Sequence, residues 1–161
     1  MKQTSTSKKI RILTIMGMVI LLIMSLFGCA KKAEISEIES FSFGYTDGNM
    51  MNSNVRYSLL LENGTYTATV KPLHEPQEAA QTFTVDESFV QTLRQLLIDN
   101  EAGKWNGFSK SDKNVLDGDS FTMFILMTDG TTLDAHGYMK YPKNYSTVKN
   151  GLDELFGSLI Q

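Results

Sequence analysis

Oxygen-bearing side chains crowd one short stretch: Asp112, Asn114, Asp117 and Asp119 all fall within KSDKNVLDGD. Carboxylates at such spacing could bind calcium or do acid–base work. The EF-hand pattern does not fit. Counted from Asp112 it needs an oxygen ligand fifth and Gly sixth, where this chain has Leu116 and Asp117. Turn-forming Asp and Asn account for the composition. His74 and His136 are the only histidines and Cys29 the only cysteine, none in a metal-ligand spacing. The sequence carries no serine nucleophile elbow, no Gly-rich phosphate loop and no metalloprotease helix motif. No cofactor and no metal is therefore expected.

Aromatic residues offer a different chemistry. Trp105, the single tryptophan, stands beside Asn106, Gly107 and Phe108, and Tyr138, Tyr141 and Tyr145 alternate with Lys140 and Lys143. If the two segments adjoin, Trp105, Asn106, Phe108, Tyr138, Tyr141 and Tyr145 form an amphipathic surface suited to a sugar or a protein. The alternative is that Trp105 and Phe108 plug the segment onto the core while the tyrosines cover a helix start.

The elements that must position these residues follow from pattern. Ile35, Ile38, Phe41, Phe43 and Tyr45 form a largely alternating apolar series, a strand. Asn63-Gly64, between Val55–Leu61 and Thr65–Val70, is a strong hairpin signal. Gln81–Val85 reads as a further short strand. Asp86 suits a helix N-cap, and Phe89, Val90, Leu93, Leu96 and Leu97 recur at helical spacing. Residues 104–119 are expected to be a long irregular segment. A second hairpin turns at Asp129-Gly130, with Phe121, Met123, Ile125 and Met127 on one face of its first strand and Phe124 and Leu126 on the other. Apolar residues on both faces predict a central strand covered on each side. A last helix is expected from about Ser146 to Leu159. The fold class is α+β: a twisted antiparallel sheet of five to seven strands, built from two hairpin units, with two helices packed against it.

The amino terminus gives an address. Lys2, Lys8, Lys9 and Arg11 precede an apolar run from Ile12 to Met24, then Ser25-Leu26-Phe27-Gly28-Cys29. A basic start, a short apolar run and a small residue before the processing point make a secretory signal. Leu26-Phe27-Gly28-Cys29 resembles the lipobox of bacterial lipoproteins. The resemblance implies cleavage between Gly28 and Cys29, a diacylglycerol on the Cys29 sulfur, and attachment to the extracytoplasmic face of the cell membrane. The expected layout is a signal peptide at 1–28, a lipidated cysteine and tether at 29–34, and a single domain at 35–161. Removing 28 of the 161 residues leaves 133, enough for one core. Four of the 15 basic residues go with the leader, leaving 11 against 18 acids, a formal balance of −7. That acidity argues against nucleic acid as a partner.

Trp105-Asn106-Gly107-Phe108, Leu116-Asp117-Gly118, Phe121, Asp129-Gly130, Gly137 and Tyr141-Pro142-Lys143-Asn144-Tyr145 occur in an order that resembles uncharacterised extracytoplasmic lipoproteins of Gram-positive, Clostridium-like bacteria. The resemblance covers roughly 105–160 and implies location and fold, not chemistry. The expectation is a non-enzymatic domain, held to the bilayer through acylated Cys29, that binds an envelope protein or wall component. The alternatives are a wall hydrolase using Asp117 or Asp119 and a small-ligand-binding lipoprotein.

Overall fold

A computed structural model describes residues 32–48, 54–73, 76 and 79–160. The expectations for the leader, Gly28, Cys29 and His74 lie outside the described residues. Seven strands form one sheet: β1 (Ile38–Thr46), β2 (Val55–Glu62), β3 (Thr65–Pro72), β4 (Gln81–Val85), β5 (Phe108–Ser111), β6 (Ser120–Met127) and β7 (Thr132–Tyr138). Helix α1 (Glu87–Asp99) follows β4 and helix α2 (Tyr145–Gly157) follows β7. The spatial order is β4-β3-β2-β1-β6-β7-β5, so β1 lies between the two hairpins, pairing with β2 on one side and β6 on the other. The fold is α+β, as the pattern predicts.

Local chemistry explains the turns. Asn63 and Gly64 both take positive φ, 51° and 76°, the pair of left-handed residues that a tight two-residue hairpin requires. In the second hairpin Gly130 takes φ 81°, and the Asp129 carboxylate accepts the Thr131 N–H at 2.8 Å. At the start of α1, the Asp86 side chain accepts the Phe89 N–H at 3.0 Å. Hydrogen bonds to Ser88 and Phe89 hold the Asp86 carboxyl below its usual range. Helix α2 begins differently, at Asn144 with φ 64° and no side-chain cap. The Asn144 amide instead donates to the Asn100 carbonyl at 3.2 Å, joining the start of α2 to the end of α1.

One core lies between the sheet and the two helices. Phe41, Phe43, Leu59, Met123, Ile125 and Leu133 from the strands meet Leu93, Leu97, Leu152 and Phe156 from the helices. Among the described residues, nothing covers the opposite face of the sheet. Phe124 is 43 % exposed and Leu60 likewise; Thr69, Ser58, Ser42 and Phe124 pair in one row across β3, β2, β1 and β6, and Thr122 lies opposite Gly44 in the next. The expectation that β6 is covered on both sides is therefore corrected. Its apolar outer residues sit in a hydroxyl-rich, solvent-facing surface.

One further expectation changes. Residues 104–119 are not wholly irregular: a 3-10 turn over Ala102–Trp105 leads into β5, which pairs with β7 in parallel, Phe108 opposite Ala135. The sheet is thus mixed, with one parallel pair at its edge. Residues just before Ile35 also pack. Ala33 is buried and its N–H donates to the Gly103 carbonyl at 3.0 Å, so the packed chain begins before residue 35. A Cβ on Gly103 would lie 2.1 Å from the Ala33 carbonyl oxygen, and that close approach explains the glycine.

Candidate functional site

The end of β1, the start of β6 and the first turns of α2 converge on an open cleft of about 400 Å³. Tyr45, Asp47, Asp119, Tyr141, Tyr145 and Lys149 contribute its walls. Each is there for a local reason. Tyr45 continues the inward series of Phe41 and Phe43 to the strand end. Tyr141 and Tyr145 flank the irregular entry to α2, and Lys149 lies one turn further along the helix.

The tyrosine rings form a graded stack. Tyr145 packs at 4.8 Å from buried Phe121, and Tyr141 lies on Tyr145 at 4.6 Å with 27° between the planes. Tyr145 is thus half-buried, while Tyr141 is 39 % exposed. Burial raises the Tyr145 hydroxyl above the ordinary phenol range. Burial, then the neighbouring Asp119 charge, does the same for Tyr141. Both rings are neutral at physiological pH.

Beside the rings stands a fixed carboxylate. One oxygen of Asp119 accepts the Gly48 N–H at 3.0 Å, and the other faces the Tyr141 hydroxyl at 3.5 Å. The Asp119 carbonyl accepts the Met139 N–H at 2.9 Å, which secures its main chain. On the far wall Lys149 lies 4.0 Å above the Tyr45 ring and bridges to Asp153 at 2.7 Å. Tyr57 donates to the same Asp153 at 2.8 Å and Tyr45 at 3.3 Å. Burial opposes the Lys149 charge, but Asp153 and Tyr45 together outweigh it and the net shift is upward. The cleft therefore offers an aromatic face, a carboxylate acceptor and an ammonium donor. Among the described residues, no three His, Cys, Asp or Glu side chains come together in a way that could hold a metal.

The two aromatic segments do adjoin, but with the indole inside. Trp105 is 2 % exposed, edge-on to Phe121 at 6.1 Å, and its N–H donates to the Lys143 carbonyl at 3.1 Å. It holds the segments together and cannot meet a partner. Phe108 is half-buried against Phe121, and the Asn106 side chain accepts the Asp134 N–H at 3.2 Å to start β5. The Tyr138 hydroxyl ties down the 112–119 loop through the Leu116 carbonyl at 2.8 Å. Of the six aromatic-surface residues expected from sequence, Tyr141 and Tyr145 line the cleft. Trp105, Asn106, Phe108 and Tyr138 serve the fold. Tyr45 and Lys149 were not expected, because nothing local distinguishes a strand-end tyrosine or a helix lysine from ordinary ones.

Asp117 is exposed, while Asp119 belongs to the cleft. His136 stands on the open sheet face, its Nε2 2.8 Å from the Ser109 hydroxyl. No protein-family profile, curated protein or solved structure matches the chain.

Proposed function

We propose that the chain is a lipid-anchored, extracytoplasmic binding domain that recognises a saccharide component of the cell envelope. Cys29 is its membrane attachment, and the cleft at Tyr141 and Asp119 is its ligand site. One observation carries the binding reading: an exposed ring, backed by a second ring, stands beside an immobilised carboxylate. Sugar C–H faces pack on aromatic planes, and sugar hydroxyls donate to fixed acceptors. The position of Ala33 supports close attachment. Residues 30–32 alone separate Cys29 from the packed chain, so an acyl group would hold Ala33 within about 14 Å of Cys29.

The anchor is tested by mass and fractionation. The wild-type chain should lose residues 1–28, gain a diacylglycerol and remain with membranes. Cys29→Ser should stay unprocessed and unacylated. A wild-type chain that keeps its leader and carries no lipid contradicts the anchor. The binding reading is tested by photo-cross-linking from position 141 in cells. Adducts to wall glycan, absent when the cross-linker replaces exposed Leu116, support it. Adducts to protein alone overturn it.

A further inference from the structure

Strand β4 forms one edge of the sheet. It pairs with β3 in unbroken register, from Tyr66 opposite Val85 to Val70 opposite Gln81. Among the described residues no strand lies on its other side. Its outward N–H and C=O groups are therefore a template for a further strand. Folded proteins commonly blunt such edges with charge, proline or a bulge. The opposite edge strand, β5, carries Lys110. Strand β4 reads Gln81-Thr82-Phe83-Thr84-Val85, with no charge, no proline and no glycine. Its β-branched and aromatic residues suit a paired strand.

The helix layer reaches this edge and leaves a groove along it. Val85, Phe89, Leu155 and Leu159, with Thr84 and Thr92, line an open cleft of about 400 Å³. Phe83 and Val85 pack against the core and stay half-buried, while Thr82 and Thr84 on the other face are exposed. The edge thus combines unpaired backbone with apolar side chains that a further strand would cover.

The strand is complementary to itself. A second β4, laid antiparallel about a two-fold axis through Phe83, sets Phe83 against Phe83, Thr82 against Thr84 and Gln81 against Val85. Opposed residues of an antiparallel pair share a face, so ring meets ring on the inner side and hydroxyl meets hydroxyl on the outer. The Thr82 hydroxyl already stands 3.4 Å from that of Thr69 on β3, and the row continues into Thr84 of the second copy. Charge selects the same direction. Asp86 and Glu87 follow the strand. Antiparallel pairing brings Asp86 beside Ala80, about 20 Å from its own counterpart, whereas parallel pairing would set like carboxylates side by side.

We infer that this edge joins a second copy of the chain, β4 to β4 and antiparallel, so that two seven-stranded sheets become one. The contact is isologous and closes on itself. The two grooves meet across the axis, and withdrawal of Leu155 and Leu159 of both copies from water drives the association.

The test uses the processed, lipidated chain in neutral detergent, with sedimentation velocity over a range of concentrations. Wild type should pass from monomer to dimer as concentration rises. The double variant Thr82→Lys/Thr84→Lys sets lysine against lysine across the axis at two exposed positions. It should stay monomeric with an unchanged circular dichroism spectrum. Oxidation reads the register. An equimolar mixture of Thr82→Cys and Thr84→Cys should form a disulfide between positions 82 and 84, identified by peptide mass, roughly tenfold faster than either variant links to itself. A wild type that is monomeric up to its solubility limit overturns the inference. So does a dimer that survives in the double-lysine variant, or equal linking in the mixture and in each variant alone. A photo-cross-linker at position 84 that captures another protein in cells, and not a second copy, overturns it as well.

Discussion

The indole N–H of Trp105 donates to the carbonyl of Lys143 at 3.1 Å, joining two segments 38 residues apart. That bond links the approach to β5 with the approach to α2, and the tyrosine stack rests on the same ring cluster. Trp105 is therefore a structural residue on which the cleft depends.

Trp105→Ala should destabilise the domain by about 3–5 kcal/mol, as expected for removing a buried aromatic. Trp105→Phe keeps most of the packing, loses the hydrogen bond and should cost less. Urea denaturation followed by circular dichroism measures both. A loss below about 1 kcal/mol for Trp105→Ala would mean that the indole is not a core residue.

Tyr57 gives a pH prediction. Burial and the hydrogen bond to Asp153 raise its hydroxyl far above the ordinary phenol value of 10.0. Above pH 10 the unfolded chain loses this proton while the folded chain keeps it, so folding stability falls as pH rises. Tyr57→Phe removes that contribution and should flatten the alkaline limb. Tyr45, also raised by burial, keeps part of it. Melting temperatures across pH 9 to 12 that fall equally in both proteins would contradict the assignment.

Gly137 lies where the chain leaves β7. A Cβ there would stand 2.2 Å from the Lys140 carbonyl and 2.6 Å from the Phe121 ring. Gly137→Ala must therefore shift backbone or the ring beneath the tyrosine stack, at a cost of about 1–3 kcal/mol. Gly130→Asn, at a left-handed turn with open space around it, should be nearly neutral by the same thermal measurement.

How much was legible in the sequence depended on how local each signal was. Asn63-Gly64 needs only its own backbone preference to turn a hairpin, and β6 advertises its inner face through Phe121, Met123, Ile125 and Met127. Strand β5 has one apolar residue in four, and its parallel partner lies 27 residues away, as Ser109 and His136 show, so no periodicity reveals it. The open sheet face differs from the expectation because Phe124 and Leu126 look like core residues; the absence of a third layer among the described residues is not written in their own strand. In the cleft, Tyr141 and Tyr145 stood out as an aromatic cluster, whereas Tyr45 and Asp153 meet across 108 residues. For Trp105 the sequence left two placements open, a surface shared with the tyrosines or packing onto the core. Which way the indole faced depended on the gap left by Phe121 and Tyr145.

Calorimetric titration with a defined, purified wall-glycan oligosaccharide is the most direct test of the proposed function, using the lipidated chain in neutral detergent. Saturable binding is predicted for wild type. It should fall at least tenfold in Tyr141→Ala and in Asp119→Asn, two exposed positions whose loss leaves the core intact. Equal heats in wild type and both variants, or no binding by wild type, would contradict a saccharide site in the cleft.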